Sequence, residues 1–254
     1  DRVDRGMPRR LESEERALEL LAQVLQGLAQ AEAGKNDFVA LASHELRAPI
    51  SVVHGIAATL HLRGDELELD QVHELRETLF EQTAHLRDLA EQLLDLSRLD
   101  AEPLVVEPEP FHPRERLDEL LLQIAPGRLD DIEVEIDPEH EVTTDALAFE
   151  RVTANLILNA LRYGRPPVEV SAVRADDYRL VVQDHGDGVA PEFVPRLFER
   201  FSRGAAAERT GTAGAGLGLA IASAYAQAIG GRIRYEPARP SGARFTFTLP
   251  AART

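Results

Sequence analysis

The chain has 254 residues, of which 44% are hydrophobic but only 5% aromatic, and a formal net charge of −16. That length suits two modest domains, each with its own core, while the acidic balance excludes a nucleic-acid footprint, which needs clustered Lys and Arg. Cysteine is absent, which excludes disulfides and thiolate chemistry, and the lack of any run of about 18 apolar residues or a signal peptide makes cytoplasm the expected location.

Over residues 1–34, Leu18, Leu21, Leu25 and Leu28 alternate at three- and four-residue spacing, the seam of a coiled coil. Residues 35–101 carry two further helical stripes. The first runs through Phe38, Val39, Leu41, Ala42 and Leu46 to Pro49, which is expected to kink or loosen the helix. The second runs from Val72 through Leu75, Leu79, Leu86, Leu89 and Leu93 to Leu96, after a polar break at Arg63, Gly64 and Asp65. A hairpin of two helices buries too little alone, whereas two copies close a four-helix bundle, so an obligate homodimer is expected. Residues 102–110 alternate prolines with glutamates and read as a linker. In residues 111–254, helical patterns at Arg114–Ile124 and Ala146–Tyr163 alternate with strand-like runs at Glu133–Ile136, Val168–Val173, Arg179–Gln183 and Arg244–Leu249, which predicts an α/β sandwich. The Gly-, Ala- and Thr-rich stretch 204–216 is expected to be mobile and to cover a ligand.

Four clusters carry chemistry. In Ser43-His44-Glu45-Leu46-Arg47-Ala48-Pro49, an imidazole that is largely neutral at pH 7 stands beside a carboxylate; one ring nitrogen can attack phosphorus while Glu45 holds the proton on the other. Taken alone, His44 reads as an ordinary exposed helix histidine, and it is the neighbouring clusters that overturn this. Asn155 and Asn159 project from one helix face, where amide carbonyls can ligate a hydrated Mg²⁺ without adding charge, or can simply bond within a core helix. Arg162 and Tyr163 follow one turn on, in reach of phosphate and ribose. In Asp184-His185-Gly186-Asp187-Gly188 a strand ends in a carboxylate that can accept from an adenine amine, with glycines admitting close backbone approach; D-x-G-x-G is also a common tight turn. Gly214-Ala215-Gly216-Leu217-Gly218 opens an apolar helix whose free amides suit phosphates. Between these, Leu197-Phe198-Glu199-Arg200-Phe201-Ser202-Arg203 offers two phenylalanines that can anchor a lid or simply fill core, and Phe201 and Arg203 are its expected nucleotide contacts. No Walker pattern occurs.

The order of these clusters resembles the H-box, N-box, first glycine box, phenylalanine box and second glycine box of sensor histidine kinases, over about Lys35 to Pro250. The resemblance implies a multidomain protein: an all-α helical-hairpin dimerisation bundle followed by an α/β sandwich of the Bergerat type, shared with gyrase, the mismatch-repair ATPase and a heat-shock chaperone. It implies His44 as phosphoacceptor, Glu45 as assisting carboxylate, Asn155 and Asn159 as Mg²⁺ and phosphate contacts, Asp184 as adenine contact, and Gly186, Gly188, Gly214, Gly216 and Gly218 as the pocket walls. ATP and Mg²⁺ are the implied cofactors, and a response regulator, which takes the phosphoryl group on an aspartate, is the implied partner. The chain would then be the cytoplasmic part of a sensor whose membrane or sensing region lies upstream. One position departs from the pattern: relatives often carry Thr or Asn four residues after the histidine, and here it is Ala48, which cannot orient a water, so weak phosphatase activity is expected. The competing expectations are another ATPase of the same fold and a dimeric ATP-binding scaffold without histidine phosphorylation.

Overall fold

The computed structural model describes residues 42–43, 45–101, 104–204 and 215–250. His44, the coiled coil over residues 1–34 and Gly214 lie outside the described residues, as does most of the glycine-rich stretch 204–216.

Helix α1 (residues 45–63) and helix α2 (Leu69–Ala101) are joined by a 3₁₀ turn, Gly64–Glu66. The turn falls where the polar break predicts it. Pro49 does not end α1: the helix is continuous through it, and Ser51 Oγ donates to the carbonyl of Arg47 at 2.8 Å, beside the place where a proline leaves the ladder without a donor.

The C-terminal unit stacks three helices on one face of a five-stranded sheet. Helices α3 (Pro113–Ile124), α4 (Ala146–Tyr163) and α5 (Gly218–Ala228) cover strands in the order β2 (Ile132–Glu135), β4 (Val168–Arg174), β5 (Asp177–Gln183), β7 (Ala243–Pro250) and β6 (Arg232–Pro237). The β2–β4 pair is parallel and the others antiparallel. A separate two-stranded ribbon pairs β1 (Glu109–Phe111) with β3 (Val142–Thr144). Strand β1 therefore starts inside the proline-rich segment read as a linker, and Asp145 explains how that segment is held. Its Oδ1 caps α4 by accepting from Ala148 N at 2.8 Å, and its Oδ2 accepts from Glu107 N at 3.0 Å.

Alternation builds the core. Tyr178, Leu180 and Val182 of β5 and Phe245, Phe247 and Leu249 of β7 turn inward against Phe149, Val152, Leu156 and Ile157 of α4. The Phe149 ring lies 6.1 Å from Phe247 and 5.3 Å from Phe111. Each buried phenylalanine contributes roughly 1.5–3 kcal/mol by leaving water, so a few aromatics tie both strand systems to one helix. Strands β1, β3 and β6 escaped the sequence reading because they are short or lie at an edge. In β6 the outward residues Arg232, Arg234 and Glu236 are charged, the composition that keeps an exposed edge from pairing further.

Candidate functional site

The C-terminal half of helix α4, from Asn155 to Tyr163, spans the site and has one glycine cluster at each end of that stretch. At its C-terminus, Gly164 lies against Asp184, just beyond β5: a Cβ on Gly164 would come within 2.4 Å of the Asp184 Cβ. A Cβ on Gly186 would meet Gly164 Cα at 2.9 Å, and one on Gly242 would meet the Asp184 carbonyl oxygen at 1.9 Å. Gly242 also has φ +116°, a conformation that L side chains rarely adopt. Gly188, also of positive φ, packs on the Gly242 carbonyl. Asp184 is thus a carboxylate set in backbone, 3% exposed. Its Oδ1 accepts from Gly186 N at 2.8 Å and from Ala243 N at 3.3 Å. Burial pushes its carboxyl above the ordinary value, while those two amides and the neighbouring His185 pull it back. His185 in turn meets Glu169 at 2.8 Å.

At the other end, Asn155 donates through Nδ2 to the Arg151 carbonyl at 2.7 Å and turns Oδ1 toward the start of α5, where a Cβ on Gly218 would come within 2.8 Å of it. Among the described residues no side chain caps the first turn of α5, and backbone N–H groups at a helix start suit an anionic acceptor. Gly216, at φ +68°, presses on the phenylalanine-box backbone: a Cβ there would meet Ser202 O at 2.6 Å and Phe201 C at 2.9 Å. Phe201 itself has φ 57°, unusual for a bulky residue, and the buried Ser202 Oγ has no hydrogen-bond partner among the described residues. A strained Phe201 backbone, held against a left-handed glycine and beside a hydroxyl with no partner among the described residues, fits a segment shaped for a ligand rather than for its own stability.

Asn159, half-buried, sits one turn along α4 between the two ends. Arg162 reaches back to Asp88 of α2 at 3.9 Å, and Tyr163 is exposed at the rim. Arg203 and Glu45 are half-buried and both act on His85 of α2, whose imidazole is held below its ordinary value by burial and by Arg162. The Leu217 side chain is fully buried in the core, which leaves its backbone for a ligand. The structure therefore gathers Asn155, Gly216, Gly218 and Phe201 at one end and Asp184, Gly186 and Gly188 at the other. Gly164 and Gly242 belong to the same cradle but were not singled out as site residues. Gly164 gave a signal only as the residue ending a helix, and Gly242 only as the start of the closing strand.

Two family models match the chain. Residues 34–102 match the His Kinase A (phospho-acceptor) domain, and residues 144–253 match the histidine kinase-, DNA gyrase B- and HSP90-like ATPase. Sensor protein SrrB of Staphylococcus aureus is 32% identical over 224 residues, covering 85% of this chain and 38% of SrrB. Among solved structures, the Acinetobacter baumannii histidine kinase AdeS aligns with a TM-score of 0.63 at 26% identity, covering 83% of this chain and 98% of that one. ShkA, solved full-length in complex with AMPPNP, aligns with a TM-score of 0.57 at 25% identity, over 84% of this chain and 46% of that one. The chain belongs to the two-component sensor histidine kinases, and carries their phosphoacceptor and ATPase-like domains in one polypeptide. It spans 38% of the length of the curated relatives it matches. Among the described residues, no helix is long and apolar enough to cross a membrane.

Proposed function

We propose that the chain binds Mg-ATP in the cradle between α4 and α5, transfers the γ-phosphoryl group to His44, and passes it to an aspartate of a response regulator. The observation that carries this reading is the glycine-walled carboxylate at Asp184. A buried acceptor walled by Gly164, Gly186 and Gly242 suits the flat edge of an adenine, and the start of α5 faces Asn155 where phosphates would lie. Asn155 and Asn159 are the oxygen donors for the cation; among the described residues there is no cluster of three acidic or histidine side chains to hold one separately. When bound, Mg²⁺ neutralises phosphate charge as the phosphoryl group transfers. Glu45, one residue from His44, holds the proton on the second ring nitrogen so that the first stays nucleophilic.

A homodimer is part of this reading. Leu62, Leu69 and Phe80 are left in water on the hairpin, with Leu69 87% and Phe80 76% exposed, a stripe that a second hairpin would cover. Ala48 is exposed on α1 and offers no hydroxyl or amide to orient water against a phosphoaspartate. Dephosphorylation of the regulator is therefore expected to be slow, and Ala48→Thr to accelerate it in a phosphate-release assay. The kinase reading is tested by incubating wild type and His44→Ala with γ-labelled ATP and Mg²⁺. Acid-labile, alkali-stable label confined to wild type supports it, whereas released phosphate without labelled protein replaces it with a plain ATPase.

A further inference from the structure

Helix α2 contributes two buried leucines, Leu89 and Leu96, to the core of the ATP-binding domain, and beside Leu96 it buries a carboxylate. Asp95 is 4% exposed, and both its oxygens are taken by that domain: Oδ1 accepts from Tyr225 Oη at 3.2 Å, and Oδ2 meets Arg151 Nη1 at 3.2 Å. Arg151 lies one turn before Asn155 on α4, and Tyr225 lies two turns after Gly218 on α5. A single side chain of the bundle helix therefore grips both walls of the nucleotide cradle. Two further carboxylates flank it. Asp88 faces Arg162 at 3.9 Å, and Asp100 takes Arg200 through two hydrogen bonds of 2.5 and 2.6 Å.

We propose that Asp88, Asp95 and Asp100 form an acidic ladder that docks the ATP-binding domain on α2 at the height of the phosphoacceptor segment, with Asp95 as its central positioning residue. The proposal rests on the kinase reading above. Apolar contact through Leu89 and Leu96 is non-directional and would let the domain slide along the helix. A carboxylate buried without partners is strongly destabilising, so Asp95 admits only the register in which Arg151 and Tyr225 both reach it. The height follows from the hairpin. Because α1 and α2 turn at Gly64–Glu66, Glu45 comes back beside His85 and Asp88, and His85 senses Glu45, Arg162 and Arg203 together. Phosphoryl transfer needs reacting atoms about 3–3.5 Å apart, so a slipped register removes catalysis while leaving the pocket intact.

The test uses the whole chain. Asp95→Asn and Tyr225→Phe keep shape and remove the charge or the hydroxyl; each is expected to lower the autophosphorylation kcat about tenfold, the size of one lost charged hydrogen bond, with KM for ATP unchanged. Asp100→Arg should act the same way, and adding Arg200→Asp should recover most of the loss. Wild-type or increased kcat in the single variants overturns the proposal, because the contact would then park the domain; so does a rise in KM without a fall in kcat. A second readout does not depend on activity. The sequence contains no cysteine, so spin labels at Glu91→Cys and Arg239→Cys, both exposed, report the spacing of helix and domain. Asp95→Asn should broaden that distance distribution, and an unchanged distribution rejects the ladder. If wild type never labels at His44, the kinase reading fails on its own, and the distances still decide the docking.

Discussion

Asp184, the adenine contact of the proposed function, is set against stability. Its carboxyl is pushed above the ordinary value by burial, so the folded chain holds the proton more tightly than the unfolded chain. Its stabilising contribution is therefore complete below the ordinary carboxylate range and is lost as pH rises through the raised value; at neutral pH the ionised group is a cost. Asp184→Asn keeps an oxygen for Gly186 N and Ala243 N but removes the charge. We expect thermal stability at pH 7 to hold or rise while affinity for an ATP analogue falls at least tenfold, as read by paired melting and titration experiments. A variant that melts earlier and binds normally would contradict both halves. The sequence showed Asp184 because a carboxylate ahead of two glycines at a strand end is a local pattern. It did not show Gly164 or Gly242 as site residues, because their need to be glycine comes from Asp184 itself, reached through the fold from 20 or more positions away.

At the scale of elements, the long α4, β4, β5 and β7 were readable from their periodicity because each buries one face along most of its length. The ribbon of β1 and β3 was not, since three-residue strands have no period to count, and what fixes β1 is the distant cap residue Asp145. The phenylalanine box and the second glycine box read as separate motifs, yet they form one unit through Gly216, whose Cβ position is filled by Ser202 and Phe201. Gly216→Ala is expected to cost about 1–2 kcal/mol for the left-handed backbone alone, and more for the contact. Because the displaced segment borders the proposed phosphate end, ATP-analogue affinity should fall together with the melting temperature. A loss of stability with unchanged affinity would place the segment outside the nucleotide site.

For the molecule as a whole, the sequence displayed two domains and a hairpin that needs a partner, because leucine spacing and motif order are written along the chain. How the domains sit on each other was not displayed: Asp95, Asp100 and Arg200 are ordinary charged residues until the fold pairs them. The exposed stripe on the hairpin makes a direct prediction about assembly. Phe80→Glu leaves the fold within one chain untouched, since the ring is already in water, and should shift the sedimentation of the chain from dimer toward monomer at micromolar concentration. A variant that stays fully dimeric would move the interface to another face of the hairpin.

The central claim, that this cradle serves His44, is tested most directly by site-resolved mass spectrometry of the whole chain after incubation with Mg-ATP, with the protein kept neutral to alkaline throughout. The account predicts one phosphoryl group, on His44, in wild type and none in Asp184→Asn. Phosphate on another residue, or ATP consumed with His44 unmodified, would contradict it.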